Sequence, residues 1–219
     1  MRAALRTELR SAVGAHRSAN QDAVGASDCC AVVADGVGGR VAGDVASAAV
    51  THAVLTSLTS AAEEGWADIE PERLREVVAA ANARLATLSA ADPSLMGLAT
   101  TFTAIVCVED AALVAHIGDS RAYLVQSGSG RRVTRDDSLV QELVDQGTVD
   151  PADAWLHPHR NIILWSLAGD PDDPRHLTVQ RTPTAPGDRW LLASDGLTDY
   201  VPEQLVLEVL AGEPDAAIA

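Results

Sequence analysis

The sequence predicts an α+β layered domain, and three observations carry that expectation. Apolar runs of strand length fall into groups, at residues 30–35, 100–125 and 176–194, separated by turn residues. Two long stretches between them space their apolar residues at helical intervals, so each has one face that needs a sheet to cover it. No repeat, low-complexity linker or break in composition divides the 219 residues, and a chain of this length hides roughly 70% of its extended surface as one unit. A single domain over 1–219 is therefore expected.

The elements follow in order. Residues 30–35 (CAVVAD) form a short buried strand, and 44–62 form an Ala-rich helix able to start at Asp44. A second helix opens with Pro71, a residue suited to a first helical turn. It places Leu74, Val77, Val78, Ala81, Leu85 and Leu88 along one stripe and is stopped by Asp92-Pro93. The strand pattern of 100–125 has turns at Glu109-Asp110 and Asp119-Ser120 and reads as an antiparallel meander. Residues 138–147 form a helix closed by Gly147, 176–181 and 189–194 return to strands, and 202–211 are helical. The polar stretch 148–174, rich in Pro, Asp and His, is long for a connection, and 136–174 is expected to be a functional lid or flap.

Composition excludes several functions. The net charge of −15 repels phosphate backbones, so no nucleic-acid partner is expected. Arg131, Arg132 and Arg135 read as a solvated hairpin rather than a basic patch. All sixteen basic residues are arginine, which removes phosphate-loop and Schiff-base lysine chemistry. Cys29, Cys30 and Cys107 form no C-x-x-C pair, read as small core residues, and lack an arginine six positions on, so thiolate phosphatase chemistry is not expected. The N-terminal stretch mixes arginine through its apolar positions and contains neither a signal peptide nor a membrane span. A reducing cytoplasmic setting and no membrane partner are expected.

Three times an apolar strand delivers an aspartate beside a glycine: AVVADG at Asp35, VAHIGDS at Asp119 and WLLASDG at Asp195. Asp-Gly is also a common turn dipeptide, so three plain turns remain a possible reading. Strands of one sheet, however, line up their ends, and carboxylates gathered there repel unless cations neutralise them. Oxygen donors select hard ions such as Mg²⁺ or Mn²⁺, and the six histidines lack the pairing of a zinc site.

Seven motifs occur in one order along the chain: RSANQD (17–22), ADGVGG (34–39), GLATTF (97–102), GDSRAYL (118–124), TRDDSLV (134–140), HPHRN (157–161) and GDRWLLASDGL (187–197). In these the chain resembles the bacterial PPM-type (type 2C) metal-dependent Ser/Thr protein phosphatases. The resemblance implies a four-layer α-β-β-α sandwich, two antiparallel sheets flanked by helices, with a two-metal site at one end. It implies that Asp35 bridges two Mn²⁺ or Mg²⁺ ions, the Gly36 carbonyl binds one and Asp195 the other. Asp22 would act through water, Asp119 would hold a third, weaker ion, and Arg17 would grip the substrate phosphate. The implied chemistry is in-line attack on phosphorus by a water bridging the ions, with no covalent enzyme intermediate. Phosphorylated proteins, Ser/Thr kinases or their substrates, are the implied partners in a dephosphorylating signalling role.

Each assignment has a plainer counterpart. Arg17 reads equally as a surface residue, Asp22 as a cap, and Asp119 as the closure of a hairpin. His157 and His159 read as lid or surface histidines, and His116 as structural. The chain also departs from the family pattern. It has no Asp-Asn pair before a last strand, and Asp215 reads as a helix cap rather than that ligand. Val37 stands where some relatives have histidine, leaving no general acid there, and Gln21 replaces a glutamate. The leading expectation is hydrolysis of phosphoserine and phosphothreonine on proteins. The alternative is a catalytically weak pseudophosphatase acting as a phosphoprotein-binding or regulatory module.

Overall fold

A computed structural model describes residues 4–14, 17–37, 42–65 and 69–212, with side chains of 61–65 left aside. Nine strands and five helices are described: β1 (Asp22–Ala26), β2 (Cys30–Val37), α1 (Ala42–Gly65), α2 (Pro71–Ala91), β3 (Ala99–Thr100), β4 (Phe102–Val108), β5 (Ala111–Ile117), β6 (Arg121–Gln126), β7 (Ser129–Arg132), α3 (Leu139–Asp145), β8 (Thr178–Pro183), β9 (Arg189–Ala193), α4 (Asp195–Thr198) and α5 (Glu203–Ala211). The larger sheet has the order β1-β2-β4-β5-β8 with β3 beside β2, the smaller one β7-β6-β9, and all pairings are antiparallel. The four-layer α-β-β-α expectation is met.

Side-chain alternation explains the layering. Along β2 and β5, Cys30, Val32, Leu113, Ala115 and Ile117 point toward the core under α1 and α2, where Val50, Val54, Leu74 and Leu85 meet them. Their alternates, Ala31, Ala112 and Val114, face the second sheet and pack with Ala122, Trp190 and Leu192. On the far side of that sheet Tyr123 and Val125 meet Val206 and Leu210 of α5. A strand apolar on both faces is thus a central strand of a sandwich.

The helices form as their spacing requires. Pro71 starts α2, and Asp92 accepts a hydrogen bond from the Ser94 amide in the 3-10 turn that follows. The helix α1 begins at Ala42, two residues before the expected Asp44, which lies in its first turn. Ser138 caps α3 by accepting from the Gln141 amide, and Gly147 closes the turn after it with φ of 72°.

Three expectations are corrected. The stretch 100–125 is not a meander: β5 already pairs with β4 on one side and β8 on the other, so β6 finds no free edge and crosses to the smaller sheet. Asp119 therefore closes no hairpin; it sits in the crossover between sheets. The arginines are not simply solvated, since Arg132 faces both Asp136 and Glu203, and Arg135 pairs with Glu142 and Asp145. Of the cysteines only Cys30 is core; Cys29 and Cys107 are half-buried. The expectation for Asp215 falls outside the described residues.

Candidate active site

Asp35, the last residue of the expected strand, lies inside β2, which runs on to Val37, and its backbone is held from the neighbouring strand. Its amide donates to Thr101 Oγ1 at 2.9 Å, while its carbonyl accepts from Thr101 N at 2.8 Å and from Thr100 Oγ1 at 2.9 Å. This use of the 97–102 motif also reaches the crossover, because Thr101 Oγ1 lies 2.9 Å from Ser120 Oγ. In register, Asp35 stands opposite Asp22 of β1. Gly36 has no room for a side chain: a Cβ there would come within 2.3 Å of the Gly43 backbone in the first turn of α1. Its amide donates to the Gln21 carbonyl at 3.1 Å, which ties the 17–22 motif to the strand end.

Asp119 and Asp195 reach the same place from other elements. Gly118, at φ of 110°, turns the chain after β5 where a Cβ would lie 2.6 Å from Thr101 Cβ. Its amide donates to Asp137 Oδ2 at 2.9 Å and its carbonyl accepts from Asp137 N at 2.7 Å, so the 118–124 and 134–140 motifs are docked on one another. Asp195 opens α4 directly after β9, and the preceding Ser194 Oγ donates to Asp22 Oδ2 at 2.7 Å. The expected common edge of one sheet is thus corrected: Asp35 lies on the larger sheet, Asp119 in the crossover between the two sheets, and Asp195 at the start of α4 after the smaller sheet's β9.

The carboxylates act on one another. Burial, then the charges of Asp195 and Asp22, then a hydrogen bond with Asp195 and the charge of Asp119, push the Asp35 carboxyl up to about 9. Burial raises Asp119 to about 8, with Asp195, Asp136 and Asp199 adding repulsion. Asp119 Oδ1 is buried without a hydrogen-bond partner among the described residues. Such a set of oxygen donors, mutually repelling and with one orphaned oxygen, fits hard divalent cations. Among the described residues no three His, Cys, Asp or Glu side chains converge tightly enough to hold an ion unaided, so backbone carbonyl and water oxygens would have to complete any coordination shell.

Arg17 is exposed and makes no hydrogen bond or ion pair among the described residues. Asp199 was not anticipated. It stands one helical turn after Asp195, its pKa is raised by burial and by Asp195, and it faces Arg160 Nε at 3.4 Å. The i, i+4 spacing of two aspartates in 194–199 was the available signal. Asp136 was likewise unassigned; it is 3% exposed and takes a two-pronged grip from Arg121 at 2.6–3.0 Å.

A family model described as protein phosphatase 2C matches residues 15–212. The chain belongs to that family. Among protein phosphatase 2C relatives, the serine/threonine protein phosphatase PstP of Mycobacterium tuberculosis is 39% identical over 206 residues, covering 94% of this chain and 39% of that protein. The serine/threonine phosphatase stp of Listeria monocytogenes is 36% identical over 186 residues, covering 82% of this chain and 70% of that protein. The structure is similar to that of the catalytic domain of PstP in complex with two manganese ions, with a TM-score of 0.79, 36% identity, and coverage of 95% of this chain and 84% of the other. The chain thus spans about two fifths of the length of the mycobacterial relative.

Proposed function

We propose that this protein phosphatase 2C chain hydrolyses phosphoserine and phosphothreonine on proteins with two Mn²⁺ or Mg²⁺ ions, held by Asp35, the Gly36 carbonyl and Asp195. Asp22 would contribute through water and Asp119 would serve a weaker third ion. The observation that carries the reading is Asp35, pushed to about 9 among Asp195, Asp22 and Asp119. A folded protein that keeps such a cluster gains by neutralising it with cations. Divalent cations, when bound, neutralise phosphoryl charge and acidify water. The chain's own part is to hold the oxygens in place: Thr100 and Thr101 fix the Asp35 backbone, and Ser194 orients Asp22. Arg17, exposed in the segment that leads into β1, would meet a phosphate and orient it for in-line attack.

Residues 136–174 are proposed to form a flap beside the site, with Arg160 facing Asp199 as its nearest tie to α4. The proposed partners are proteins phosphorylated by Ser/Thr kinases, in a cytoplasmic signalling role. No described helix is long and apolar enough to cross a membrane. The test is release of phosphate from p-nitrophenyl phosphate and from a phosphothreonine peptide with added Mn²⁺. Metal-dependent turnover lost in Asp35→Asn supports the enzyme. A second reading, a catalytically weak phosphoprotein-binding module, rests on the departure from the family's Asp-Asn motif, and its signature is phosphopeptide binding without turnover.

A further inference from the structure

The main chains of Cys29 and Cys107 meet at the end of the β2–β4 pairing. The Cys107 amide donates to the Cys29 carbonyl at 2.7 Å, extending by one residue the register that pairs Cys30 with Val106. Directly opposed, hydrogen-bonded residues of antiparallel strands have Cα atoms about 5.5 Å apart. That lies inside the span of about 4.4–6.8 Å that a disulfide requires. Both residues are half-buried and so open to a small oxidant, whereas Cys30 is fully buried under α1 and α2. Cys29 lies in the bend immediately before β2, one residue past the last paired strand residue, and Ser27 Oγ sits 3.7 Å from its sulfur.

We propose that Cys29 and Cys107 form a reversible disulfide on exposure to hydrogen peroxide, a modification site at the end of β2 away from Asp35. Cys29, in the bend before β2 with Ser27 Oγ at 3.7 Å from its sulfur, is the first to react, and Cys107 is the resolving thiol. The Cys29 thiolate attacks one peroxide oxygen; an S–O bond forms, the O–O bond breaks, and the leaving hydroxide takes up a proton as water. Sulfur is oxidised to a sulfenic acid and the peroxide is reduced. The Cys107 sulfur then attacks Cys29 Sγ, the S–S bond forms, the S–O bond breaks, and the hydroxyl leaves as water with the Cys107 proton. A thiol reductant reverses the linkage.

The experiment treats the full chain with hydrogen peroxide at a few equivalents and digests it with trypsin without reductant. The chain lacks lysine, so cleavage after arginine alone leaves Cys29 and Cys30 in peptide 18–40 and Cys107 in peptide 85–121. The expected product joins these two peptides, separates on reduction, persists in Cys30→Ala and is lost in Cys29→Ala. A second reading needs no variant: the oxidised wild-type chain melts at a higher temperature than the reduced chain, because a cross-link restricts the unfolded state. Oxidation of Cys29 to a sulfinic acid without a joined peptide overturns the proposal. So does a linkage that survives Cys29→Ala and disappears in Cys30→Ala.

Discussion

Asp35 concentrates the chemistry at a single residue. Its folded pKa of about 9 stands well above its ordinary 3.8, so the metal-free native state holds a proton that the unfolded chain releases. The stability from this group is full at low pH and is lost as pH rises toward about 9. Cation uptake must displace that proton. The apparent affinity for Mn²⁺ should therefore rise steadily between pH 6 and about 9; titration calorimetry in buffers of different ionisation enthalpy reads both affinity and proton release, and a flat profile would contradict the assignment. Asp35→Asn should weaken Mn²⁺ binding by about 100-fold or more, yet raise the melting temperature in chelator near neutral pH, since an amide is neutral without the proton that Asp35 must take up on folding and keeps the shape. A variant that loses stability in chelator would show that Asp35 is held by something other than its carboxylate neighbours.

Between elements, the polar contacts of His116 and Asn82 do what apolar packing does elsewhere. His116 on β5 is 1% exposed, with Nδ1 at 2.9 Å from Thr103 Oγ1 and Nε2 at 2.9 Å from the Arg135 carbonyl, which pins the approach to α3. Burial lowers it to about 4, outweighing Asp136 and the Arg135 carbonyl. A histidine kept neutral in the fold contributes stability above its unfolded pKa of 6.5, and that stability is lost as pH falls toward about 4. The loss over this window should be about 3 kcal/mol, and urea melts across it should show it as a difference between wild type and His116→Gln, whose slope with pH should be shallower. Asn82 on α2 donates to the Asp170 carbonyl at 2.7 Å and accepts from Gly169 N at 2.9 Å, holding the end of the long 148–174 connection. Asn82→Ala should cost about 2 kcal/mol, read from the urea midpoint, because two part-buried backbone groups lose their partner.

At the scale of the whole molecule, the two sheets meet through a thin apolar layer and through their carboxylates. Ala31, Ile105, Val114 and Ala122 supply the apolar part, while Asp35 and Asp119 face Asp195 across the gap. Cations bound there would couple the sheets, so Mn²⁺ should raise the melting temperature of the chain. At a hundred times the dissociation constant the gain is about 2.7 kcal/mol. Differential scanning calorimetry with Mn²⁺ against chelator checks this, and Asp195→Asn should abolish most of the shift while leaving the smaller sheet folded. An equal shift in Asp195→Asn would place the cations elsewhere on the acidic surface.

Most of the strands and helices were legible in the chain, because alternation and helical spacing are local properties: Cys30 and Val32 against Ala31, or Leu74, Val78 and Leu85, report their own burial. Asp35, Asp119 and Asp195 stood out for the same reason, each carried by an apolar run into a glycine. Which sheet each strand joined was not legible. That β6 leaves β5 depends on β8 taking the free edge, a choice made by residues more than fifty positions away. The roles of Thr101, Ser194, Asp137 and Asp199 were hidden alike, since a hydroxyl or carboxylate acquires its partner only when distant segments close on it. Local pattern dictates what each segment buries; the competition among segments for edges and for buried polar partners is settled only when the whole chain is packed.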